Sequence, residues 1–319
     1  MIETALKIQK ELQKKGATDV IITASKNKDQ QVKFSNNLIS TTMTWYSSNM
    51  DIFIAIKNRI ALTSIKEFDK KTISSVTSRL IKLAKLSNPN EDYSLIASGP
   101  FNYKRIPETH DKRVAKVNQV KIVEESISSA LSEGAKRVSG ILETSESEIK
   151  LISSSNVSAE TKGTNIHLSI RALAEKDASG HLTCTSRVLN KFEYKDAARQ
   201  AGIIASQAKN PRIGTSGKYN IIFTPLAFAN FLALTGESTS IFSVESGFSF
   251  LKNKLNKKIA SDDINFYDNP LEPNGVGSSP FDAEGQPTKN KVLIQDGILK
   301  TYLHNSSTAK KYKTKSTGN

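Results

Sequence analysis

The chain has 319 residues, with 45 Lys and Arg against 31 Asp and Glu, for a formal charge of +14. Its single cysteine, Cys184, excludes an internal disulfide, and with it a secreted disulfide scaffold or a four-cysteine zinc module. Apolar residues at 37% and charged residues at 24% give a globular composition, long enough for two domains.

At the N-terminus Glu3, Lys7, Lys10 and Glu11 interrupt any apolar core of a secretory signal. The most apolar stretch, residues 221–234, contains Thr224, Pro225 and Asn230 and falls short of the roughly 20 residues that span a bilayer. The expectation is a soluble cytoplasmic protein without a membrane segment.

An internal duplication organises the first two thirds. The segment GATDVIITASKNKDQQVKFSNNLI from Gly16 resembles GAKRVSGILETSESEIKLISSSNV from Gly134, at an offset of 118. Each copy begins with a helical stripe: Ala5, Ile8 and Leu12 in the first, and Val120, Val123, Ile127, Ala130 and Leu131 in the second. Gly16 and Gly134 stand where a left-handed cap would end those helices. Extended segments follow. In copy two Ile166, Leu168, Ile170 and Ala172 alternate with His167, Ser169 and Arg171, and Leu182, Cys184 and Val188 alternate with polar neighbours. A closing helix carries Ile73, Val76, Leu80, Leu83 and Ala84 in copy one and Ala197, Ala201, Ile204, Ala205 and Ala208 in copy two. Both stop before Asn-Pro, at Asn88-Pro89 and Asn210-Pro211. The pattern predicts an α+β fold with hairpin-rich sheets covered by helices on one face. The domain reading is a duplicated unit over residues 1–211, with copies at about 1–89 and 111–211 joined by a linker at 90–110, then a β-rich C-terminal domain over 212–319. The connector between the copies, rich in proline and charge, is expected to run over the surface.

Beyond Pro211, residues 218–223 read as a strand, 226–234 as an apolar helix and 248–258 as a Lys-rich amphipathic helix. Residues 269–288 are dense in Gly, Pro, Ser and Asn and read as loop. Asp296-Gly297 marks a hairpin between two apolar runs. Ser306 to Lys311 reads as a short helix begun by a hydroxyl cap.

The motifs of common chemistries are mostly broken. His110, His167, His181 and His304 have no evident ligand partners, and His181 and Cys184, three apart on a strand, point to opposite faces. No His is followed by Glu, so a self-sufficient H-E-x-x-H zincin is excluded. Gly217-Lys218 lacks the rest of a Walker loop, Gly275-Val-Gly277 lacks its third glycine, and no G-x-S-x-G occurs. The Lys clusters at 252–258 and 310–315 admit nucleic-acid binding, but Lys and Arg elsewhere mix with acids and Trp45 is the only indole, so a solvated basic surface is the plainer reading. Asp282 and Glu284 could act as an acid and base pair, against the simpler alternative of turn chemistry.

The remaining segment, PFDAEGQPTKNKVLIQDGILKTYLHNSSTAKKYKTKSTGN from Pro280, resembles the signature of the TldD/PmbA family, long labelled modulators of DNA gyrase and regarded as metallopeptidases. The resemblance is strong from Lys218 onward and weaker through the duplicated part. It implies two kinds of subunit that pair as a heterodimer. One kind carries H-E-x-x-x-H on the helix that follows a strand and a proline, and binds a catalytic zinc. Here the proline is Pro225, and the matching positions fall at about Ala233, Leu234 and Ser238, which lack zinc-ligating side chains. The resemblance therefore implies the metal-free PmbA or TldE kind. That kind is a peptide-holding subunit of a zinc metallopeptidase complex with no cofactor of its own, the zinc belonging to a TldD-type partner. Phe281, Asp282, Glu284, Gly285, Pro287 and Thr288 are the candidates for substrate or partner contact. A homodimer, a standalone peptidase and a gyrase-associated nucleic-acid binder are the alternatives. Family chains continue past S-T-G-N, so the C-terminal domain is expected to be incomplete here.

Overall fold

The computed structural model describes residues 1–319. The first helical stripe forms α1 (Ile2–Lys14), and Ala5, Ile8 and Leu12 are its buried residues. Gly16 follows at φ 101°, a conformation that glycine adopts without a Cβ clash. Three strands come next, β1 (Asp19–Ser35), β2 (Leu38–Ile56) and β3 (Arg59–Ile65), and then α2 (Lys70–Leu86). The Asp69 carboxylate accepts from the N–H groups of Lys71 and Thr72 at 2.9 and 3.0 Å. Such a cap contributes about 1 kcal/mol. Copy two repeats the order with α3 (Gln119–Leu131), β4 (Arg137–Ser153), β5 (Ser158–Glu175), β6 (Ala178–Ser186) and α4 (Tyr194–Gln207).

The six strands form one antiparallel sheet in the order β3-β2-β1-β4-β5-β6. The copies join through β1 against β4, and the bounds of these two strands keep the 118-residue offset at both ends. Lys28 lies opposite Glu146, residues which that offset makes equivalent, so a local two-fold relates the halves at this pair. Strand alternation then settles the faces. Val20, Ile22 and Ala24 of β1, Met50, Ile52 and Ile54 of β2, and Ile166, Leu168 and Ile170 of β5 all turn toward the helices. Each such Leu or Ile contributes roughly 1.5–3 kcal/mol when fully buried. α1 and α2 cover the copy-one half, and α3 and α4 the copy-two half, with Val32 and Phe34 of β1 reaching into the second cluster.

Two helix stripes are rotated from the sequence reading. Val120 and Ile204 are exposed, and the buried sets are Ile122, Val123, Ser126, Ile127 and Ala130 in α3 and Ala198, Ala201, Gly202 and Ala205 in α4. The cause is close helix contact. A Cβ on Gly202 would lie 2.4 Å from the Ala130 carbonyl oxygen, so α4 meets α3 through its smallest side chains and Ile204 turns outward.

The connector corrects another expectation. Ile96, Ala97 and Ile106 are buried, and Ile96 packs with Ile21, Leu151, Val157 and Ala159 on the helix-free face of the sheet. The connector is a wall of the structure, because the odd-numbered apolar residues of β1 and β4 require cover.

The last third holds α5 (Pro225–Ser238), α6 (Ile241–Glu245), β7 (Phe266–Asp268), β8 (Lys291–Gln295), β9 (Ile298–Leu299) and α7 (Ser306–Lys311). The strands β7, β8 and β9 make a small sheet around Ile241, Leu251, Leu293 and Leu299. Asp296 and Gly297, at φ 50° and 71°, form the expected two-residue hairpin turn. Three readings fail. Residues 218–223 form no strand, since nothing pairs with them and Ile222 is 97% exposed. Residues 248–258 are turns, not a helix: Asn253 and Asn256 are left-handed, and the Asn256 N–H donates to the Leu299 carbonyl beside β9. The cap of α7 is the Asn305 amide oxygen, which accepts from the Thr308 N–H at 2.8 Å, and not a hydroxyl. No helix is long and apolar enough to cross a membrane.

Candidate functional site

The segment from Pro280 closes over the helix-free face of the sheet. Phe281 is buried among Ile21, Ile96 and Leu151, and the Tyr103 ring meets it edge-on at 5.5 Å. Asp282 builds the turn that presents it. Its Oδ1 accepts from the N–H groups of Glu284 and Gln286, both at 2.9 Å. Burial pushes the Asp282 carboxyl up to about 6. Gly285, at φ 78°, lies so close to the sheet that a Cβ would be 2.4 Å from Val157 Cγ1, and its carbonyl accepts from the Tyr103 hydroxyl at 2.8 Å. Only glycine fits both conditions.

Glu284 has a different task. Its Oε2 accepts from the Ser306 N–H at 3.0 Å and from the Ser306 hydroxyl at 2.5 Å, which fixes a carboxylate at the first turn of α7. Phe281 pairs with Pro287 in an isolated bridge, and the Thr288 hydroxyl donates to the Ser279 carbonyl at 2.5 Å. The six candidate residues therefore share one tight loop. Asp282 and Glu284 nevertheless have separate partners: Asp282 serves backbone groups of the loop itself, and Glu284 reaches out of it to the Ser306 N–H and hydroxyl.

Beside the loop lies a cleft of about 1080 Å³. Its floor is the copy-one sheet, with Ile21, Phe53, Ile60 and Leu62. One wall is the connector at Tyr93 and Ile96, and the other is formed by Phe281, Asp282 and Glu284 with Asn305, Ser307 and Thr308 of α7 and its cap. The Ser307 hydroxyl donates to the Leu95 carbonyl at 3.0 Å and ties α7 to the connector. Lys311 bridges Asp92 and Glu245 at 2.9 and 2.7 Å. The Tyr93 hydroxyl donates to Asp19 at 2.8 Å, and burial pushes its pKa above the usual tyrosine value.

The positions matched to the zinc motif lie on a different element from this loop. Ala233, Leu234 and Ser238 lie on α5, a helix with no buried residue, and the Ser238 hydroxyl donates to the Leu234 carbonyl. A methyl, an isobutyl and a hydroxyl already engaged with its own helix make no zinc donor set. Nor does any group of three or more His, Cys, Asp or Glu side chains come together elsewhere. His110 meets Glu146 at 3.3 Å, His167 the Thr185 hydroxyl at 2.7 Å and His181 the Ser169 hydroxyl at 3.0 Å, while His304 is buried beside Tyr312. His181 and Cys184 take opposite faces, the thiol packing into the copy-two core.

Sequence reasoning missed Asp51, Tyr93, Tyr103 and Arg187. Arg187, nearly buried, donates to the carbonyls of Gly275 and Ser278 at 3.3 and 2.9 Å and clamps the following loop onto copy two. The aromatic spacing of Tyr93, Phe101 and Tyr103 in an otherwise polar connector was the available signal of its burial.

Residues 216–319 match the sequence profile of the PmbA/TldA metallopeptidase C-terminal domain. An uncharacterized protein of Methanocaldococcus jannaschii is 24% identical over 298 residues, which cover 92% of this chain and 68% of that protein. The metalloprotease PmbA homolog of Buchnera aphidicola is 37% identical over 113 residues, covering 34% of this chain and 25% of its own length. The crystal structure of TldE from Thermococcus kodakarensis superposes with a TM-score of 0.83 at 19% identity, over 99% of this chain and 73% of that one. At that identity the likeness is one of fold. With the C-terminal signature, the duplicated sheet and the seam between them now in view, residues 216–319 are similar to the C-terminal domain of the PmbA/TldA metallopeptidases, and the whole chain has the fold of TldE.

Proposed function

We propose that this chain is the non-catalytic, peptide-holding subunit of a TldD/PmbA-type zinc metallopeptidase complex in the cytoplasm, with the hydrolytic zinc in a TldD-type partner. The observation that carries this reading is the chemistry of α5: Ala233, Leu234 and Ser238 supply neither ligands for zinc nor a carboxylate to activate its water. Asp282 and Glu284 do not replace that machinery, since they are bound to the turn and to α7. What the chain does offer is a roomy cleft with an apolar floor beside the Phe281 loop, suited to an unfolded peptide.

The test is reconstitution. The chain incubated with zinc and an unstructured peptide should give no cleavage, and addition of a TldD-type subunit should restore it. Cleavage by the isolated chain that a chelator abolishes would end this reading.

A further inference from the structure

The cleft also carries information about what occupies it, on the reading that it holds a peptide. The protein as a whole has a charge of +14, yet five carboxylates line this cleft and no Lys, Arg or His does. Three of the five are tied to a cation or to α7. Asp92 and Glu245 share Lys311 at the rim, and Glu284 is held by Ser306. Asp51 and Asp282 differ, because neither is in an ion pair. The side-chain hydrogen bond that Asp51 accepts is from the Asn49 amide at 2.9 Å, and those of Asp282 come from backbone N–H groups. Two carboxylates outside any ion pair stand over a floor built from Phe53, Ile60 and Leu62. The volume, about 1080 Å³, is just above the roughly 300–1,000 Å³ of ordinary small-molecule sites.

We propose that the cleft selects peptide segments that carry apolar and basic side chains together. The apolar groups lie on the Phe53, Ile60 and Leu62 floor and the cations meet Asp51 and Asp282. The argument is charge complementarity in a partly desolvated site. A Lys or Arg entering there gains two carboxylates outside any ion pair, whereas a Glu meets a carboxylate-lined site whose nearest cation, Lys311, is already shared by Asp92 and Glu245.

The experiment is fluorescence anisotropy on the whole chain with two labelled hexapeptides, Leu-Lys-Leu-Lys-Leu-Lys and Leu-Glu-Leu-Glu-Leu-Glu, at low and high salt. The Lys peptide should bind at least about tenfold tighter, against the net charge of the protein, and the preference should shrink with salt. The double variant Asp51→Asn, Asp282→Asn retains the amide oxygen that the 282 turn requires, and its circular dichroism should match the parent. It should lose most of the preference. Equal binding of both peptides, or a preference that survives in the double variant, overturns the charge selection and leaves the peptide-holding role standing. If neither peptide binds, that role falls as well.

Discussion

The two copies of the duplicated unit share strand order, helix order and the register of their long hairpin, but their edges differ. β6 covers β5 from Ile166 to Glu175, and the rest of that edge is met by the connector: the Thr164 N–H donates to the Thr109 carbonyl at 3.1 Å, and its hydroxyl accepts from the Asp111 N–H and donates to the Arg187 carbonyl, both at 2.8 Å. β3 covers β2 only from Met50 to Ile56, and no strand pairs with the outer side of residues 38–49. Tyr46 and Thr164 hold corresponding register positions, yet Tyr46 is 74% exposed and Thr164 2%. The stretch LISTTMTWYSSN has neither charge nor proline, the usual protections of a free edge. The lesson concerns what occurs once. The sheet is doubled, but the connector and the C-terminal segment are single, so one copy has its strand edge covered while the other keeps a free edge beside the cleft.

The strongest blow to this arrangement is Phe281→Ala. It removes the ring that joins both copies, the connector and the C-terminal loop, and should cost about 3–5 kcal/mol in urea unfolding. A loss below about 1 kcal/mol would show that the seam is held by other contacts. The contrast between edges is sharpened by a matched pair. Thr164→Val leaves the Asp111 N–H without its buried acceptor and should cost about 1–3 kcal/mol, whereas Tyr46→Ser should stay within about 0.5 kcal/mol. Similar costs at the two sites would mean that the copy-one edge is covered in solution.

The smallest effect is a pH dependence. The Asp282 carboxyl rises from 3.8 to about 6 on folding, so the folded chain holds this proton more tightly than the unfolded chain. The stabilisation is full below pH 3.8 and is lost as pH rises through about 6. Asp282→Asn removes the ionisation and keeps the turn acceptor. Measured by urea unfolding, its stability relative to the parent should increase by about 1–2 kcal/mol between pH 4 and pH 8. A flat difference would place Asp282 in a wetter setting than the seam provides.

Much of the molecule was legible in the sequence wherever the determining forces act over a few residues. The α1 stripe, the β5 alternation, the left-handed glycines after α1 and α3 and the Asp296-Gly297 hairpin follow from helix period, strand period and backbone sterics. The local rule fell short where a distant surface decides. Residues 218–223 have strand-forming side chains but no neighbour to complete their hydrogen bonds, and residues 248–258 gave up a helix to lie against β9. The Phe281 loop was visible as a signature, but its placement against Val157 and Tyr103 was not.

The order of elements, the duplication and the absence of zinc ligands at Ala233, Leu234 and Ser238 were set by the sequence alone, because each is a matter of side-chain identity or short-range period. Tertiary structure alone decided that Ile96, Ala97 and Ile106 of the connector are buried, that Asp51 and Asp282 share one cleft, and that the two equivalent edges meet different fates. The physical reason is that burial of apolar surface is non-directional. Either copy could accept cover, and only the packing of the single connector and C-terminal segment selects which surface each one covers.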